Sequence, residues 1–171
     1  MKYLATKKFE LALEQFLSTV ATPENSKTAN TGSDSRSPQI NYYIGITYEA
    51  LGKEAEAKSY FIRSSEHAIK DNIYIAYYQG LSSLKLENKG KASDYFSALI
   101  SEGDKQLKKG SETDFFAKFG EREAENIRLS DAYLLKGLGY KGLGNNGAAA
   151  ENLKKAVELS ASNLYAMVEM E

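Results

Sequence analysis

The chain has 171 residues, 42% hydrophobic and 26% charged, enough apolar material for one domain-sized core or one short array. Its formal net charge is −1 and it has no long basic run, which argues against nucleic acid as a partner. No apolar run approaches the ~18 residues of a membrane span, no signal peptide is visible in the charged first turns, and the absence of cysteine removes disulfide and thiol chemistry.

Two prolines in the whole chain, with abundant Ala, Leu, Glu and Lys, favour helix. Residues 3–20 are predicted as the first helix, with Phe9, Ala12, Leu13, Phe16, Leu17 and Val20 on one face. Residues 21–37 carry Pro, Gly, Asn and Ser without periodicity and read as a surface loop; the sharper alternative is a flap that closes over a partner. Ser37-Pro38 then opens a helix, with Ser as N-cap and Pro at the first helical position. That helix runs to about Leu51 and turns at Gly52-Lys53; the next spans about Glu54 to Lys70. Asp71 or Asn72 caps the following helix, which ends near Glu87. A long helix, about Lys91 to Lys109, is stopped by Gly110. Ser111-Glu112-Thr113-Asp114 reads as the start of an added helix. Its Phe115, Phe116 and Phe119 are expected to be mostly buried and to fix it against the long helix. Helical periodicity resumes at about Leu129, reaches Leu143, turns through Gly144 to Gly147 and continues to about Leu159. Asn163 to Glu171 reads as the start of a further helix.

One stretch in this order recurs. Asn41 to Phe61 reads NYYIGITYEALGKEAEAKSYF, and Ala76 to Phe96, 35 residues on, reads AYYQGLSSLKLENKGKASDYF. Tyr133 to Leu153 reads YLLKGLGYKGLGNNGAAAENL. Gly45, Gly80 and Gly137 coincide, as do Ala57, Ala92 and Ala149, and then Phe61, Phe96 and Leu153. The natural reading pairs each Gly with the Ala of its copy, as the place where two antiparallel helices approach. The large residue one turn later then points into the seam with the next copy. A period in the mid-thirties with these small and large positions resembles the tetratricopeptide repeat, in which each unit is a helix A, a turn and a helix B.

The resemblance implies an all-α fold, a right-handed superhelix of helix pairs with one helical insertion. It divides the chain into a half repeat at 1–20, repeats at 38–71 and 73–106, an insertion at 107–129, a repeat at 130–162 and the start of another helix at 163–171. A lone helix B at the start and a lone helix A at the end suggest descent from, or excision from, a longer chain. The order of the segments resembles more narrowly the tetratricopeptide C-terminal region of large bacterial proteins. Those proteins carry an upstream domain of unknown function and are associated with carbohydrate metabolism. Ser83 departs from the pattern where a Tyr is expected, so the second repeat is expected to pack more loosely, and the Pro that often closes a repeat is missing.

Material for catalysis is sparse. The single histidine, His67, sits among Ser64, Ser65 and Ala68 and reads as a surface or seam residue. No metal, nucleotide or nucleophile motif is present, and no cofactor is expected. KGLGYKGLGNNG is glycine-rich, but the repeat register accounts for its glycines as packing and turn positions. Glu121 and Glu123 read as part of a solvated helix face. The resemblance implies instead a non-enzymatic module that binds a peptide segment or protein surface in a groove lined by the A helices. The implied lining is Tyr42, Ile46, Tyr77, Leu81, Leu134 and Leu138, with Gln39, Glu49, Tyr74, Asp131 and Lys141 near by. The Lys and Asn set that clamps a peptide carboxylate in some members is missing. The rival reading is a structural domain that packs against the upstream part of a larger protein or against a second copy of itself.

Overall fold

The computed structural model describes residues 8–20, 37–68, 73–109 and 119–170. Among these residues the structure has eight α-helices, one 3₁₀ turn and no strand. The helices are α1 (Phe9–Val20), α2 (Ser37–Ala50), α3 (Glu54–Glu66), α4 (Ala76–Lys85), α5 (Lys89–Lys109), α6 (Phe119–Gly142), α7 (Asn146–Leu159) and α8 (Leu164–Met170), and the 3₁₀ turn Ile73–Ile75 leads into α4. This is an all-α helical repeat fold of the tetratricopeptide kind. The chain forms two compact units, Met1–Ala92 and Ser93–Glu171, with the division inside α5. The expected loop at 21–37 falls, apart from Ser37, outside the described residues. So do the cap at Asp71 or Asn72, the stop at Gly110, the helix start at 111–114, and Phe115, Phe116 and the side chain of Phe119.

In the first unit α2 packs on α1, α3 and α4, and α3 packs on α4. The core holds Ile44, Ala57, Phe61, Ile75, Ala76, Tyr77 and Tyr78. The closest neighbour of Gly45 is not Ala57, as the register suggests. A Cβ built on Gly45 would lie 2.5 Å from the ring of Phe61. Phe61 therefore folds back over its own helix pair and meets Tyr42, with ring centroids 6.1 Å apart. The reason is reach: a benzyl group one turn beyond the Ala spans the helix gap that a methyl leaves open. Buried serines tie the helices together. The Ser64 hydroxyl donates to the Pro38 carbonyl at 2.8 Å, and the Ser82 hydroxyl donates to Ser64 at 2.8 Å. Ser83, the departure from pattern, is buried and donates to the Gln79 carbonyl at 2.8 Å.

α3 ends at Glu66, four residues before the expected Lys70, because His67 is extended with φ −62° and ψ 132°. The His67 carbonyl, freed from the helix, accepts from Gln79 Nε2 at 2.6 Å. Gln79 is fully buried, and its Oε1 has no hydrogen-bond partner among the described residues.

In the second unit α6 packs on α7, and α8 packs on both. α6 is a single helix of 24 residues. The expected boundary between an added helix and helix A, near Leu129, lies inside it. No Gly or Pro occurs between Gly120 and Gly137, so nothing in that stretch stops a helix. Gly137 meets Leu153, at 2.7 Å from a built Cβ, rather than Ala149. Gly139 and Gly142 bring α6 close to α5, against Ile100 and the Phe96 carbonyl in one case and the Phe96 ring in the other. Gly103 approaches the Ala132 carbonyl and Lys136 from the opposite side. The Ser130 hydroxyl donates to the Ala156 carbonyl at 2.7 Å and accepts from Asn163 Nδ2 at 2.9 Å.

The turn between consecutive helices is built the same way three times. The amide of Gly52 donates to the Glu49 carbonyl and that of Lys53 to Tyr48; Glu87 and Asn88 repeat the pattern on Leu84 and Ser83, and Gly144 and Asn145 on Lys141 and Tyr140. This pair of bonds is a Schellman motif, which needs a left-handed residue after the helix. Gly52 and Gly144 supply it at φ 72° and 77°, whereas the middle copy uses Glu87 at φ 60°.

Candidate functional site

The residues implied as groove lining fall in both units, and each set is described on its own. In the first unit Gln39, Tyr42, Ile46, Tyr74 and Leu81 are half-buried, Glu49 is exposed and Tyr77 is buried. Glu49 bonds to Lys85 at 2.6 Å across α2 and α4, so this charge is answered on the same face. In the second unit Leu134 and Leu138 are core residues, at 5% and 0% exposure. Asp131 is exposed as a residue, yet its carboxyl is desolvated enough to titrate above its ordinary value. Lys141 donates to the Glu169 carboxylate at 3.0 Å and to the Glu169 carbonyl at 2.8 Å, fastening α8 to α6. A cavity of about 250 Å³ beside this pair is floored by Ala149, Ala150 and Leu153.

The groove lining inferred from the repeat omits the centre of the aromatic cluster. Tyr78, almost fully buried at 2% exposure, lies within 5.5–5.8 Å, centroid to centroid, of Tyr42, Tyr43, Tyr74 and Tyr77. Gln39 Nε2 donates to its hydroxyl at 2.8 Å. The hydroxyls of Tyr43 and Tyr74 approach the same oxygen at 3.4 and 3.3 Å. One proton and two lone pairs on Tyr78 match these three neighbours. Phe16 of α1 stacks on Tyr43 with centroids 6.0 Å apart and planes at 11°. Phe16, Tyr43, Tyr78 and Tyr74 thus make successive ring contacts from α1 through α2 to α4 and the 3₁₀ turn before it. The sequence held the signal: both repeats carry a Tyr-Tyr doublet, and the second members, Tyr43 and Tyr78, lie 35 residues apart.

His67 is half-buried and Glu123 is exposed. Among the described residues no group of three or more metal-ligating side chains could hold an ion. No described helix is long and apolar enough to cross a membrane.

Residues 130–163 match the family model of the tetratricopeptide repeat. It covers the start of the repeated register in α6, the turn at Gly144 and all of α7. Comparison with curated proteins and with solved structures gave no match. Tetratricopeptide repeats generally mediate protein–protein contacts and are generally non-enzymatic.

Proposed function

We propose that this chain is a non-enzymatic interaction module that binds a peptide segment or protein surface through the tyrosine face shared by α2 and α4. The observation that carries the reading is the convergence of Gln39, Tyr43 and Tyr74 on Tyr78, half-exposed side chains around a buried one. Tyrosine offers large contact area with few rotors and a polar tip, and such rings anchor interfaces. Gln39, Tyr42, Ile46, Glu49, Tyr74 and Leu81 are the accessible part of the proposed surface. Tyr77 serves it from beneath.

A second reading is favoured by α8. Leu164, Tyr165, Met167, Val168 and Met170 are all exposed there, with Leu164 at 68% and Val168 at 63%. An apolar face of this kind suits packing against another part of a larger protein or a second copy of this chain. A photo-crosslinking side chain placed at Tyr74 or at Val168 separates the two readings. The interaction-module reading expects a different protein to be captured at Tyr74. Capture of the chain itself at Val168, with none at Tyr74, would instead establish the structural reading.

A further inference from the structure

We propose that Asn146 is a site of spontaneous deamidation, gated by the cap that Asn145 makes, and that the carboxylate it leaves loosens α8. This goes beyond the tyrosine-face reading and does not depend on it.

Asn146-Gly147 is the one Asn-Gly step in the chain. Both residues are exposed and lie in the first turn of α7. Deamidation of such a step needs no co-reactant but water. The Gly147 backbone nitrogen, losing its proton to solvent, bonds to the Asn146 side-chain carbonyl carbon. The side-chain nitrogen takes a proton from solvent and leaves as ammonia. Water then opens the cyclic imide at one of its two carbonyls, giving aspartate or isoaspartate. The reacting groups are free to meet. Glycine puts no Cβ in the path, and one built there would come only to 4.0 Å from Asn145 Oδ1. Neither the Gly147 amide nor the Asn146 side chain has a hydrogen-bond partner among the described residues. Asn88, Asn145, Asn152 and Asn163 each spend the side chain on a hydrogen bond. Helical backbone holds the nitrogen and the carbonyl carbon out of line, so the turn must open before they react. Two hydrogen bonds span it: Asn145 Oδ1 accepts from the Ala148 amide at 3.2 Å, and the Asn145 carbonyl accepts from the Ala149 amide at 2.9 Å. The Asn145 cap therefore sets how often the step is open to reaction.

The consequence falls on α8. Asn146 lines the cavity of about 250 Å³ together with Lys141 and Glu169, the pair that fastens α8 to α6. Glu169 is the more buried partner, 16% exposed against 38% for Lys141. A second carboxylate on this cavity competes for Lys141 and repels Glu169, whose burial leaves that repulsion poorly screened.

The test is peptide mapping of the whole chain by mass spectrometry after incubation at mildly alkaline pH. The tryptic peptide Gly142–Lys154 should gain the mass of an amide-to-acid change at Asn146, ahead of any change at Asn88, Asn152 or Asn163. This readout needs no variant. Asn145→Ala, which opens the cap, should speed the change several-fold, and Gly147→Ala should slow it several-fold. Asn146→Asp supplies the product directly. Hydrogen exchange in Leu164–Met170 should then quicken several-fold at low salt and return towards that of the unaltered chain at high salt. An Asn146 that stays intact while Asn88 or Asn152 deamidates overturns the proposal. So does a rate at Asn146 indifferent to Asn145→Ala, and so does α8 exchange unchanged by Asn146→Asp.

Discussion

Phe61 of the first unit and Leu153 of the second occupy one register position, and each lies over the glycine of its own helix pair, Gly45 or Gly137. Around them the two units are built from different material. The first surrounds the contact with tyrosine rings and buried serine hydroxyls. The second brings backbones together at Gly139, Gly142 and Gly103. Even the hydrogen bond that joins the start of helix A to helix B is inverted. Ser64 on helix B donates to Pro38 in one unit, and Ser130 on helix A donates to Ala156 in the other. The lesson is where polar chemistry can reach the surface. Glycine contacts fill space with backbone and offer a partner nothing. Ring contacts carry hydroxyls to a half-exposed edge, which is why we propose the first unit as the recognition surface.

If the first unit stands on ring volume, removing a ring should cost most. Phe61→Ala should lower stability by about 3–5 kcal/mol, the usual cost of emptying a buried aromatic site. Chemical denaturation measures it, and a loss under ~1 kcal/mol would mean that the rings do not hold the unit. The second unit should fail in the opposite way, through added volume. A methyl at Gly142 would overlap the buried Phe96 ring, so Gly142→Ala should cost about 1–3 kcal/mol. An unchanged Tm there would show that α5 and α6 are not in close contact.

Two smaller effects are expected at equivalent turns. Asn88 and Asn145 cap the helices that follow them, accepting from Lys91 and Ala148 at 3.1 and 3.2 Å. Lys53 holds the same place before α3 and makes no side-chain cap. Lys53→Asn should therefore stabilise the first unit by about 1 kcal/mol, visible as a raised denaturation midpoint. Glu87, left-handed where the other turns have glycine, should gain about 0.5–1 kcal/mol on change to Gly, as strain relief outweighs the added freedom of the unfolded chain. A drop in midpoint for Glu87→Gly would indicate that the Glu side chain holds the turn in some other way.

The 35-residue period made the helix pairs, their turns and the glycine register legible from sequence, because each rests on local chemistry repeated in several copies. Which large residue fills the gap over Gly45 was not legible. Ala57 and Phe61 are both at helix spacing, and only the distance between the helices decides between methyl and ring. The continuity of α6 through Leu129 was hidden for a similar reason. An inserted segment and the repeat after it can share one helix when no breaker separates them. At the candidate site, the register pointed to Tyr42 and Tyr77 through the family's groove positions. It passed over Tyr43 and Tyr78, whose importance comes from two hydroxyls meeting across α2 and α4.

Hydrogen exchange on the whole chain, with and without the partner captured at Tyr74, locates the surface that the partner covers. Binding on the tyrosine face predicts new protection in Ser37–Ala50 and in Ile73–Lys85, with α7 and α8 unchanged. Protection confined to Phe119–Gly142 or Leu164–Met170, with α2 and α4 exchanging as before, would contradict it.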